Sequence, residues 1–182
     1  MALLAESVVE EWLNRNGFFT IRGIKHGVGE LDLLGIKKSG DSITGWHVEV
    51  QASFRPIGYI SKLTKDLAKS RGRSSIVARR TAAEMAACAR QWVRDKFEAE
   101  DKRRVREKYW PGLQWEFHLV HGIAKYPDEI ALFKSAGINC HSLYDILKGL
   151  QRAGKGAFSG SAGGDLAEIV FYYNKERSLA LR

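Results

Sequence analysis

Cysteine is nearly missing from this chain. Its 182 residues hold two, Cys88 and Cys140, in apolar surroundings and far apart. That spacing builds neither a disulfide framework nor a zinc knuckle, and both are expected to be reduced core thiols. Long apolar runs are missing too: no stretch approaches the roughly 18 residues a spanning helix needs. The first residues carry no basic cluster and soon meet Glu6, Glu10 and Glu11, so no signal peptide is expected. There is no internal repeat. Gly154-Lys-Gly156 lacks the spacing and the hydroxyl residue of a P-loop, which removes a nucleotide-binding reading there. The histidines offer no zinc or cysteine-protease spacing; His118 and His121 are expected on opposite faces of a strand.

What is present is enough apolar material for a core (45%) and a high charged fraction (27%). Together they predict one cytoplasmic domain with no membrane association. The net charge is +8 and is unevenly placed. Between Lys62 and Lys108 stand 15 Lys or Arg against 7 Asp or Glu, leaving 14 against 14 elsewhere. A basic segment of that kind suits a polyanion, since each neutralised phosphate releases counterions. A solvated, charge-rich helix would give the same count.

The hydropathy pattern predicts a helix over 3–15, ended by Asn16-Gly17, and a strand from Phe18 to Ile24. A turn at His26–Gly29, a strand from Glu30 to Lys37, a hairpin turn at Ser39–Ser42 and a strand from Ile43 to Gln51 follow. A short helix is expected over Ser61–Ser70 and one long helix over Thr81–Lys108, stopped at Trp110-Pro-Gly112. Then come a strand (Trp115–Ile123), a helix (Asp128–Ser135), a strand (Ile138–His141) and a helix (Ser142 to about Arg152). Gly154–Gly164 is expected to be a flexible loop, and Asp165 to cap a last helix over Leu166–Tyr173. This order implies an α/β fold with a mixed sheet between helices.

Chemistry concentrates in Gly29-Glu-Leu-Asp-Leu-Leu and Val48-Glu-Val-Gln51. Alternation puts Glu30 and Asp32 on one face of their strand, and His47, Glu49 and Gln51 on one face of theirs. If the strands form a hairpin, Asp32 and Glu49 come side by side. Two buried carboxylates repel each other, and each is costly unless a cation lies between them. Hard oxygen ligands, few in number, suit Mg2+ or Mn2+, with the Val50 carbonyl as a further oxygen. The plainer reading, in which Glu30, Asp32 and Glu49 are solvent-facing residues of a half-buried hairpin, stays open. His47 is expected to be structural or solvent-facing rather than in contact with substrate, and Gln91 to be solvated rather than facing the site.

These residues resemble the PD-(D/E)XK, or restriction-endonuclease-like, nucleases, in which a strand Asp and a Glu-x-Lys on the next strand form the site. The segment is similar to small bacterial nuclease-like proteins and archaeal Holliday-junction resolvases. The resemblance covers about residues 3–145. It implies an α-β-β-β-α-β core with the sheet flanked by helices, in a single nuclease-like domain over 1–182. It implies Mg2+-dependent hydrolysis of phosphodiester bonds, in DNA more than RNA. Carried over by position, Asp32 and Glu49 would hold the metal, and Glu6 or Glu10 on the first helix would assist, Glu6 being preferred because it flanks the apolar face. Gln51 takes the place of the lysine that orients the attacking water. Leu31 replaces the name-giving proline. With that lysine missing, a cation can come from Arg55, Lys62 or Lys65. Arg55, Tyr59, Lys62, Lys65, Lys69, Arg71 and Arg73 are the expected contacts to nucleic acid, and such nucleases often act as homodimers. A fold that keeps this architecture but only binds nucleic acid, or docks an acidic protein, is the alternative.

Overall fold

The computed structural model describes residues 2–27, 29–52, 56–71 and 79–153, and beyond them 165, 168–169 and 172. Helix α1 (Ala2–Arg15) leads into a five-stranded mixed sheet. The strands β1 (Phe19–His26), β2 (Gly29–Ser39) and β3 (Ser42–Gln51) form an antiparallel meander, closed at Ser39–Ser42 by a turn through Gly40 with φ +60°. Strands β4 (Trp115–His121) and β5 (Asn139–Ser142) add in parallel, giving the order β1-β2-β3-β4-β5. The crossover from β3 to β4 carries α2 (Lys65–Arg71), α3 (Ala82–Val93), a π-helical turn (Arg94–Glu98) and α4 (Glu100–Tyr109). Helices α5 (Asp128–Ser135) and α6 (Leu143–Ala153) flank β5 in sequence. The expected α/β architecture with a mixed sheet between helices is therefore the observed one.

The central strand is covered on both sides. Val48 and Val50 join Ala5, Val9 and Leu13 of α1 and Ile146 and Leu150 of α6 in one core. On the other face, Leu119 of β4 packs with Trp92, Val93, Phe97 and Phe133 from α3, the π turn and α5. A strand buried on both faces no longer shows the alternation of a half-exposed one. That is why His47 and Glu49, whose neighbours Val48 and Val50 are apolar, are fully buried rather than solvent-facing. Gly45 permits the close approach of β4: an added Cβ would stand 2.5 Å from Leu113 Cδ2 and 3.0 Å from Trp115 Cε3.

Three expectations change. The short helix starts at Lys65, not Ser61, because Ser61 lies in a bend held by the Glu129 carboxylate, which accepts from its N–H at 3.1 Å and from Ile60 N–H at 2.7 Å. The long helix over 81–108 is broken. It starts as expected, on a capping box between Thr81 and Glu84. After Val93 it widens into the π turn, and Ala99 is extended (φ −55°, ψ 136°) before α4 begins. The break follows from tertiary demand: Phe97 is fully buried against His47 and Phe117, with ring centroids 4.9 and 5.0 Å away. The strand at 115 ends at His121 rather than Ile123. The glycine-rich segment 154–164 lies outside the described residues. Of the last predicted helix, only Asp165, Glu168, Ile169 and Tyr172 lie within them, and these are helical.

Candidate active site

The β2–β3 ladder ends at Leu33–Val48, and its continuation would set Asp32 opposite Glu49. There the strands part, and side chains replace the ladder. Asp32 Oδ2 accepts from Val50 N–H at 2.7 Å. This bond satisfies a backbone donor that the departing strand leaves behind.

Glu49 is the best-held acid. Lys96 Nζ lies 2.5 Å from its Oε2, and Lys102 Nζ lies 2.6 Å from its Oε1. His47 Nε2 lies 3.2 Å from the same Oε1. Burial works to raise the Glu49 carboxyl, but the His47 hydrogen bond and the two ammonium groups outweigh it and hold it down at about 2. His47 is itself kept neutral, lowered to about 4 chiefly by burial. Arg106 fixes its tautomer: the guanidinium NH1 lies 3.0 Å from Nδ1, so Nδ1 accepts and Nε2–H donates to Glu49.

Asp32 behaves in the opposite way. Burial and the charge of Glu49 push its carboxyl up to about 7, despite the Val50 N–H and Lys96. Glu6 on α1 is also raised, by burial and then by Glu30, and it feels both Glu49 and Lys96. So Asp32, Glu49 and Glu6 share one electrostatic neighbourhood. Glu10 does not belong to it: it pairs with Arg22 at 3.2 Å.

Lys96 was not expected from the sequence. In a straight α-helix, positions six apart point roughly 120° away from each other, so Lys96 and Lys102 could not both meet one carboxylate. The π turn and the extended Ala99 reset the phase and let them converge on Glu49. The one hint in sequence is Val105, an apolar residue in a charged run, which marks the inward face of α4 between Lys102 and Arg106. Several basic residues of the 62–108 segment therefore point inward. Arg80, Lys102 and Arg106 are all more than nine-tenths buried, which subtracts from the surface patch that the charge count suggested.

Gln51 stands at the end of β3 and lines a cleft of about 360 Å3 with Lys96, Lys62, Gln91 and Asp95. Gln91 thus faces the site after all, donating to Asp95 Oδ1 at 2.7 Å and accepting from Arg94 at 2.8 Å. Lys62, Lys65 and Lys69 are exposed on or before α2. Tyr59 is not free to stack on a base. Its ring lies on Tyr126, with centroids 4.4 Å apart, and under the Arg80 guanidinium at 4.0 Å, so both faces are taken. Arg55 and Arg73 lie outside the described residues, as does the side chain of Arg71.

The donor set suits a hard divalent cation. Asp32 resists ionisation because it is buried beside Glu49, and a cation would remove that cost. Among the described residues no group of three or more His, Cys, Asp and Glu is arranged to hold a metal. One or two carboxylates with water completing the shell is the usual way Mg2+ binds. An ion shared by Asp32 and Glu49 would compete with Lys96 for Oε2. The Lys96 side chain is 27% exposed against 7% for Lys102, so Lys96 is the arm with room to move.

No protein-family model matches the chain, and no curated protein matches it. Among solved structures it is similar to AF1548, a protein of unknown function, at 13% identity and a TM-score of 0.45. The likeness covers 78% of this chain, which spans 58% of the other, and it assigns no family. Among the described residues no helix is long and apolar enough to cross a membrane.

Proposed function

We propose that this chain is a Mg2+-dependent nuclease of the PD-(D/E)XK kind, hydrolysing phosphodiester bonds, in DNA by preference. The observation that carries the reading is the meeting of Asp32, Glu49 and Lys96 where β2 and β3 part. Asp32 and Glu49 would hold the ion, with the Val50 carbonyl and Glu6 beside them. When bound, Mg2+ supplies Lewis-acid polarisation of a phosphoryl oxygen and a more acidic water near neutral pH. Lys96 brings the positive charge that Gln51 lacks and sets it at the cleft surface, where charge develops on the phosphate. Gln51 donates a hydrogen bond that orients the attacking water. Lys102, His47 and Arg106 stay inside and fix the Glu49 carboxylate. Exposed Lys62, Lys65 and Lys69 meet phosphates, an interaction that is blind to sequence and weakens with salt.

Plasmid and branched-DNA cleavage with Mg2+ or Mn2+ tests this in wild type, Asp32→Ala, Glu49→Ala and Lys96→Met. Loss of cleavage in all three variants is expected, and equal cleavage in all four proteins would refute the site. One observation favours a second reading, a nucleic-acid-binding module without catalysis: both Glu49 oxygens are already held by ammonium groups. Tight polynucleotide binding with no cleavage under any divalent ion would select that reading.

A further inference from the structure

A second cleft adjoins the first. It encloses about 580 Å3 and is walled by Tyr59, Lys62, Leu63, Arg80, Lys125 and Tyr126. Lys62 and Leu63 line both clefts, so the two are neighbours, the first at Gln51 and Lys96 and the second at Tyr126. Among the described residues no carboxylate lines the second cleft. Lys62 and Lys125 are exposed and join no ion pair among the described residues. Arg80 donates through NH1 and NH2 to Ser61, and its buried Nε–H has no acceptor among the described residues.

The wall is rigidly built. Ile57 N–H donates to Ile123 O and Lys125 N–H to Ile57 O, at 3.0 and 2.9 Å, tying the chain before Tyr59 to the chain before Tyr126. The buried Glu129 carboxylate accepts from Ile60 and Ser61 behind them. Tyr59 backs Tyr126 at an interplanar angle of 16°, which fixes the half-exposed Tyr126 ring as a platform.

We propose that this cleft holds an unpaired nucleotide of the substrate, so that the nuclease acts on nucleic acid with a single-stranded segment beside the scissile phosphate. The proposal rests on the nuclease reading above. A concave pocket within the roughly 300–1,000 Å3 range of small-ligand sites suits one flipped or unpaired unit. A duplex is read by elements that project into its grooves. A single strand lies in a positively charged groove with its bases on aromatic faces. Here Tyr126 offers the ring, and Lys62 and Lys125 the phosphate contacts.

The test is fluorescence anisotropy in EDTA, using a labelled single-stranded oligonucleotide and a blunt duplex of the same sequence. Wild type is expected to bind the strand more tightly than the duplex. Tyr126→Leu and Lys125→Ala should each weaken strand binding by about tenfold while leaving duplex binding nearly unchanged. Lys125 is exposed, so its variant reports even if Tyr126→Leu folds poorly. Wild-type preference for the duplex, or unchanged strand affinity in Lys125→Ala, overturns the proposal. Asp32→Ala separates the two readings: it should bind the strand as wild type does yet fail to cleave. Cleavage by Asp32→Ala at the wild-type rate would refute the Asp32 site, and no cleavage by wild type with Mg2+ or Mn2+ would remove the nuclease reading, whatever the binding result.

Discussion

Removing the Asp32 charge should strengthen the fold while abolishing activity. Burial and Glu49 push this carboxyl up to about 7 from an ordinary 3.8. A carboxyl raised on folding holds its proton more tightly in the native state than in the unfolded one. Its contribution is therefore fully present below about pH 4 and is lost as the pH rises through about 7. The whole shift corresponds to about 4 kcal/mol, of which about 2–3 kcal/mol accrues between about pH 5 and pH 8. Asn has the same shape without the charge, and its amide oxygen can accept from Val50 N–H as Oδ2 does at 2.7 Å. Asp32→Asn should thus gain on wild type by about 2–3 kcal/mol over that pH range. The buried histidines change stability in the opposite sense. His47 and His118, lowered to about 4 and about 3, mainly by burial, favour the fold above the ordinary histidine value and lose that contribution as pH falls. Both proteins carry them, so the mutant-minus-wild-type difference cancels them. Urea denaturation followed by tryptophan fluorescence across that range measures it. Mg2+ should then stabilise wild type but not Asp32→Asn, because only the native acidic site binds it. A difference that stays flat with pH would mean that Asp32 ionises normally and stands apart from Glu49.

The two lysines should separate by role. Lys102→Met leaves the buried Glu49 carboxylate with one fewer partner and should cost about 3 kcal/mol in urea denaturation, whereas Lys96→Met, at the more exposed ammonium that water can replace, should cost less yet slow cleavage at least about 100-fold. Matching profiles for the two variants would contradict that division. Glu129→Ala strips the carboxylate from Ile60 N–H, Ser61 and Arg80; a loss of about 3–5 kcal/mol is expected in the same denaturation experiment. Gly45→Ala drives a methyl into Leu113 and Trp115 and should lower stability by about 1–3 kcal/mol, visible as a lower thermal midpoint.

Much of the sheet was legible because local rules decide it. Period-two patterning and the Ser39–Ser42 turn fixed the β2–β3 hairpin, and with it the approach of Asp32 to Glu49. The helical pattern placed the start of α3 at Thr81, where the structure shows a capping box with Glu84. The end of that helix was not legible. A run of good helix formers gives no local reason to stop at Val93, and the reason lies across the fold, where Phe97 enters the core beside His47 and Phe117.

By itself the sequence determined the fold class, the hairpin and the pair of strand acids, since periodicity and turn chemistry act between near neighbours. The tertiary structure alone decided the counter-charges. Lys96 and Lys102 lie 47 and 53 residues beyond Glu49, and only the broken helix aims both at it. It also decided that Tyr59 is occupied and Tyr126 is not fully covered, because a ring's free face depends on what packs against it. Contacts between distant segments are set by the global packing of the chain, and no local pattern encodes them.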